Sequence, residues 1–170
     1  MKSIIDIADR TLNCHREKEL VDLFKSTLAD QGFNNFAFST FSENGPNMIA
    51  ADMPDGWGDY YMDQNYWMID PVFDSMSKVW EPHTWVSLVD ENTADDVKTF
   101  MLEAEDAGLK HGHTVSIAHL GQKMNLAVSA RENLTEGAER KMLATSFALA
   151  SMFSARMTMI HRRDCEFKCS

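Results

Sequence analysis

The sequence predicts an α/β fold, an α-β-α sandwich in which helices cover both faces of a central antiparallel sheet of about five strands. Three observations predict it. Apolar residues at helical spacing flank two pairs of short stretches with strand character. Each strand pair is joined by a tight turn, which implies antiparallel neighbours. Helical stretches precede, separate and follow the two pairs, so both faces of the sheet have cover.

The elements follow in order. Asn13 reads as a helix cap, after which Leu20, Leu23, Phe24, Thr27 and Leu28 recur at helical spacing and Gly32 ends the helix. Phe36, Phe38 and Thr40 alternate with Ala37, Ser39 and Phe41, a strand covered on both faces. Glu43-Asn44-Gly45-Pro46 signals a turn, and Asn47 to Ala51 form the returning strand. From Pro54 to about Lys78 the pattern is helical, broken by Pro71 and loaded with Trp57, Tyr60, Tyr61, Tyr66, Trp67 and Phe73. A short strand near Trp85 completes the sheet. Thr93 reads as the next cap, with Asp95 and Asp96 in a first turn that favours acidic groups, and the helix runs to Gly108. Thr114 to Leu120 and Met124 to Ala130 are strands joined at Gly121, and Thr135 caps a last helix reaching about Arg163. This order gives a sandwich of the PAS or GAF kind.

The last helix is apolar on much of its circumference. Leu143, Phe147, Ala150, Ser154 and Met157 form one stripe, and Met142, Leu149, Met152, Phe153 and Ile160 a broader second one. One face packs on the sheet; the other is either buried within the monomer or meets a second copy.

Bulk properties narrow the function. A chain of 170 residues that is 44% apolar suits one domain with room for an interior ligand. Its 16 Lys and Arg against 26 Asp and Glu leave a net charge of −10, which argues against binding nucleic acid or an anionic membrane through this segment. No apolar run approaches the ~20 residues of a membrane span, and the opening MKSIIDIADR lacks a signal-peptide pattern, so a cytoplasmic location is expected. Cys14, Cys165 and Cys169 are no disulfide framework. Twelve Met residues fill either an ordinary core or an adaptable pocket. His111 and His113 could face the same way, but His119 lies ~20 Å along the strand and no third ligand is evident, so no metal is expected. No nucleophile elbow, phosphate loop or helical His-Glu-x-x-His occurs.

The stretch Met53 to Pro71 reads MPDGWGDYYMDQNYWMIDP, placing Pro54, Trp57, Tyr61, Tyr66, Asp70 and Pro71 in fixed order. Trp85 follows, then Phe100, Ala104, Gly108, Gly112 and Thr114, and finally Ser129 on the last strand. This ordered set spans essentially the whole chain and resembles the autoinducer-binding domain of LuxR-type quorum-sensing transcription factors. The resemblance implies an N-acyl-homoserine lactone held in a buried pocket, with no cofactor. It implies a sensor domain over residues 1–163 and the start of a linker at 164–170. A homodimer is implied, and promoter DNA is contacted only through a helix-turn-helix domain that this chain lacks. The chain is then either the sensor half of a longer regulator or a solo receptor that sequesters signal or forms heterodimers.

The residue types suit that ligand. A buried unpaired amide costs roughly 1–3 kcal/mol, so the pocket must offer partners. The Trp57 indole N–H donates only, which fits the lactone carbonyl; ionised Asp70 accepts only, which fits the ligand N–H; Tyr61 and Ser129 have hydroxyls for the amide carbonyl. The resemblance assigns these same roles and makes Trp85 the wall against the lactone ring. Pro71 restrains Asp70, though Asp-Pro also simply starts a helix. Phe36, Phe38, Val72, Met76, Met101 and Ile117 are candidates for the acyl tail, which the Met-rich lining allows to be medium or long. Met53 stands where the family usually has Tyr and cannot donate, which leaves a signal-independent protein as a third reading. Ser116 replaces a common Pro. Asp70 and Ser129 lack an adjacent His base, so lactone hydrolysis is not expected. An empty pocket would leave Asp70 and Trp57 without partners, coupling ligand binding to folding.

Overall fold

The computed structural model describes residues 3–42, 45–130 and 136–168. Helix α1 (Ile4–Leu12) begins with a capping box: the Ser3 hydroxyl accepts the Asp6 N–H and the Asp6 carboxylate accepts the Ser3 N–H. Asn13 closes this helix instead of opening the next. Helix α2 (Glu17–Asp30) starts from Arg16, because the Glu19 carboxylate reaches back to the N–H groups of His15 and Arg16. Its Leu20, Leu23, Phe24, Thr27 and Leu28 are buried, as their spacing predicts.

Five strands pair antiparallel: β1 (Phe33–Ser42), β2 (Gly45–Asp52), β3 (His83–Thr84), β4 (His111–His119) and β5 (Gln122–Ala130), in the order β2-β1-β5-β4-β3. The short β3 is the strand expected near Trp85. Helices α1, α2 and α6 (Glu136–Lys168) pack on one face; α3 (Trp57–Asp63), α4 (Pro71–Lys78) and α5 (Asp95–Asp106) lie over the other. The sandwich is the one the sequence predicts. Thr93 is not the cap of α5. Its hydroxyl accepts the Asp90 N–H at 2.8 Å, closing the preceding turn, and Ala94 takes the cap position. Thr135, expected to cap α6, lies outside the described residues, and α6 continues past Arg163 to Lys168.

Register decides what each face of the sheet presents. Phe36, Val128 and His113 sit opposite one another on β1, β5 and β4, as do Phe38, Leu126 and Val115. These large residues face α2 and α6. The rows between them are small or polar: Asn35, Ser129 and Gly112; Ala37, Ala127 and Thr114; Ser39, Asn125 and Ser116. Since side chains alternate along a strand, these rows face α3, α4 and α5.

Helix α6 buries Leu149, Ala150, Phe153, Met157 and Ile160, with the Phe153 ring 4.3 Å from Phe24 and 4.9 Å from Phe38. Phe147 and Met159 point outward and are exposed. Over residues 140–163 this helix is long and apolar enough to cross a membrane by length and composition alone, while Leu149, Ala150, Phe153, Met157 and Ile160 are buried in the domain core. His113 and His119 turn toward α6, at 2.9 Å from the Ser146 hydroxyl and 2.8 Å from that of Thr158.

Candidate ligand cavity

A cavity of about 630 Å³ lies between the small-residue face of the sheet and helices α3, α4 and α5. Local sequence explains how its polar groups get there. Gly56 precedes α3 with φ +75°, a left-handed conformation that glycine adopts without steric cost, and the chain turns so that Trp57 enters the core as the first residue of the helix. Tyr61 follows one turn later on the same side. A 3-10 turn at Tyr66–Met68 then reverses the chain toward α4.

Asp70 caps α4, and Pro71 occupies the first helical position. The Asp70 Oδ1 accepts the Val72 N–H at 2.8 Å, and its Oδ2 accepts the Tyr61 hydroxyl at 2.9 Å. Burial pushes the Asp70 carboxyl above its ordinary range, against the pull of hydrogen bonds from the Phe73 N–H, Tyr61 and Val72. Burial, with the Asp70 charge beside it, holds the Tyr61 phenol protonated well above the normal tyrosine range. Asp70 is therefore already paired when the cavity holds nothing, contrary to the expectation from sequence, because Tyr61 reaches it across the 3-10 turn. Trp57 does match that expectation: among the described residues its indole N–H has no hydrogen-bond partner.

Trp57, Tyr61, Asp70, Trp85 and Ser129 all line this one cavity, together with Met53, Val72, Met76 and Met101. The Trp85 ring lies flat across Gly112 and its indole donates to the Thr114 hydroxyl at 3.1 Å. The Ser129 hydroxyl donates to Asn35 Oδ1 at 3.4 Å, a long bond. Met53 sits at the mouth, 39% exposed, beside the exposed Met48 and Met62. Phe36 borders the cavity while its ring stacks edge-on against Phe24 at 5.5 Å.

Phe38 and Ile117 do not line it and are corrected here. Both belong to the opposite core, because strand alternation sends them toward α2 and α6. Sequence reasoning also passed over Asn35, Ser39 and Phe100, which do line the cavity. Asn35 and Ser39 share the parity of Ala37 on β1, so their small or polar character was the available signal. Phe100 packs against Tyr66 at 4.9 Å and Trp57 at 6.3 Å. On the next turn of α5, Glu103 accepts hydroxyl hydrogen bonds from Tyr60 and Tyr66, pinning α3 and the 3-10 turn to α5. The hydrogen bond to Glu103, with burial, raises the Tyr66 phenol above its usual range. Among the described residues no group of three His, Cys, Asp or Glu side chains could hold a metal.

A largely apolar cavity with an open mouth, lined by an indole donor and a carboxylate acceptor within an α-β-α sandwich, is the arrangement of a small-molecule-binding domain. Over residues 16–157 the chain matches the autoinducer binding domain family, and it belongs to that family, the sensor part of LuxR-type regulators. Comparison with curated proteins finds no match. Among solved structures it is similar to CepR2 of Burkholderia cenocepacia, an N-acylhomoserine-lactone-dependent LuxR-family factor, with TM-score 0.71 and 16% identity over 91% of this chain and 95% of that one. It is also similar to SdiA of Escherichia coli, with TM-score 0.73 and 14% identity over 93% and 67% of the two chains. SdiA has been solved in complex with octanoyl-rac-glycerol as well (TM-score 0.65, 14% identity, 96% and 68% covered). A phycocyanobilin-bound GAF domain from a cyanobacterial phytochrome shares the fold at TM-score 0.54 and 13% identity, covering 94% and 98%. At these identities the likeness establishes the fold.

Proposed function

We propose that this domain binds an N-acyl-homoserine lactone in the cavity and uses it to stabilise the fold of a cytoplasmic LuxR-type regulator. The observation that carries the reading is one chamber lined by the Trp57 indole, which has no hydrogen-bond partner among the described residues, and by the half-buried Asp70 carboxylate. The lactone carbonyl takes the Trp57 N–H. The ligand amide N–H donates to Asp70 Oδ2, which retains a lone pair beside the Tyr61 bond. Trp85 covers the lactone ring. The tail runs along β1 from Asn35 to Ser39, four residue steps or roughly 13 Å, toward Met48 and Met76.

The volume favours a medium or long chain. At about 630 Å³ the chamber falls in the size range of pockets that hold drug-sized ligands. Each methylene moved from water to the chamber contributes about 0.8 kcal/mol. The ligand binds the folded state only, so it raises stability by mass action, and a homodimer formed through the exposed side of α6 carries the effect to a DNA-binding domain outside this chain.

The test is mass spectrometry of ligand extracted from purified protein, joined to thermal stabilisation across lactones of four to twelve acyl carbons. An acyl-homoserine lactone in the extract and stabilisation that grows with chain length are expected. An extract holding only acylglycerols, of the kind SdiA has been crystallised with, would replace the lactone by another ester-headed lipid. A clear preference for the four-carbon signal would overturn the long-tail assignment.

A further inference from the structure

Resting on the lactone reading, we propose that Asn35 is a ligand-binding residue: its carboxamide, paired with Ser129, donates to the acyl-amide carbonyl. The argument is a count of side-chain donors around the chamber. The ligand brings two carbonyls to be satisfied. The Tyr61 hydroxyl is spent on Asp70, the Trp85 indole on Thr114 and the Ser39 hydroxyl on the Met76 sulfur at 3.8 Å. Met53 has no proton to give. Among the described residues that leaves Trp57, Trp67 and the Asn35–Ser129 pair; Trp67 is 47% exposed and can give its N–H to water, so one carbonyl falls to Trp57 and the other to the pair.

The pair is built into the sheet. Asn35 and Ser129 face each other in the β1–β5 register, next to a register shift between Phe33 and Asn35, and both line the cavity. Ser129 is 1% exposed, so its hydroxyl has no solvent to fall back on. The two amide ends of Asn35 can be exchanged without altering the conclusion. If Ser129 donates to Oδ1, as the 3.4 Å contact has it, both Nδ2 protons are unspent. If Nδ2 instead donates to Ser129, the Ser129 proton and the second Nδ2 proton are unspent. Either way one carbonyl oxygen placed between them accepts from this pair.

The experiment uses N-octanoyl-homoserine lactone carrying ¹³C at the amide carbonyl, bound to wild type, Asn35→Ala and Asn35→Asp. Isotope-edited infrared spectra should show the amide carbonyl band at lower frequency in wild type than in either variant, with the lactone carbonyl band unmoved. Affinity should fall about tenfold in both, the size of one lost hydrogen bond. Asn35→Asp keeps an acceptor for Ser129 but exchanges the N–H for a carboxylate oxygen and its charge, so the position of the amide carbonyl band, and not affinity alone, separates a donor from a residue that merely positions Ser129. Wild-type affinity and an unshifted band in Asn35→Asp overturn the proposal while the lactone reading stands. Failure of wild type to retain the labelled lactone overturns both.

Discussion

The two faces of the sheet are made from the same strands and end in opposite states. Between α1, α2 and α6 lies a space of about 10 Å³, at the lower limit for a single water. Between the other face and α3, α4 and α5 lie about 630 Å³. Neighbouring residues on one strand explain the difference: Phe36 and Phe38 fill the first side, Ala37 and Ser39 leave the second open. A domain of this size depends on its solid face for stability. The open face leaves its apolar lining uncovered by protein, which on the proposed reading a ligand completes. Stability and sensing are thus divided by parity along the strand, and substitutions on the two faces should separate them.

The largest effect is expected from hollowing the solid face. Phe38 is fully buried, with its ring against Phe24 at 6.0 Å and Phe153 at 4.9 Å. Phe38→Ala should lower unfolding stability by about 3–5 kcal/mol in denaturant titrations, since the surrounding aromatics cannot close the gap. Lactone saturation should recover part of the loss without a change in which acyl chain is preferred. A variant that unfolds like wild type but changes chain-length preference would place Phe38 in the cavity after all.

The same residue shows how far sequence goes. Alternation on β1 identifies which residues share a face, and it was sound from Phe36 to Phe41. It does not say which face meets the ligand, so facing and apolarity together make Phe38 a candidate for the acyl tail. Size was the better guide, because a chamber needs small side chains on its wall. The aromatic segment was legible as a unit: Trp57, Tyr61, Asp70 and Trp85 converge on one cavity. What could not be read was how those groups pair with each other. The Tyr61–Asp70 bond depends on a 3-10 turn whose geometry no spacing rule supplies. The caps of α2 and α5 were displaced for a related reason: Glu19 and Asp90 compete for the same backbone and hydroxyl groups as the expected capping residues.

A second, smaller effect is a pH dependence seated on the solid face. Burial, with a lesser contribution from His83, holds the His113 imidazole down to about 4, against an ordinary value of 6.5. An unfolded chain takes up that proton at higher pH than the folded one. Stability should therefore be complete above pH 6.5 and decline by roughly 3 kcal/mol as pH falls toward 4. His113→Gln should flatten the decline in melts taken across that range. An equally steep profile in the variant would assign the titration to another group.

The smallest effect probes the open face where it is tightest. A Cβ added at Gly112 would stand 2.0 Å from Cε3 of Trp85, well inside contact distance. The obstacle is a rigid indole already tied to Thr114, so it cannot fold away like a flexible chain end. Gly112→Ala should cost about 1–3 kcal/mol, as overpacking does, with a larger proportional loss in lactone affinity if the displaced ring is, as proposed, the wall of the head-group site. Tryptophan fluorescence should register the movement in the empty protein. If stability falls while lactone affinity holds, the ring can move without harm to the ligand, and Trp85 belongs to the scaffold of the open face instead of to its recognition surface.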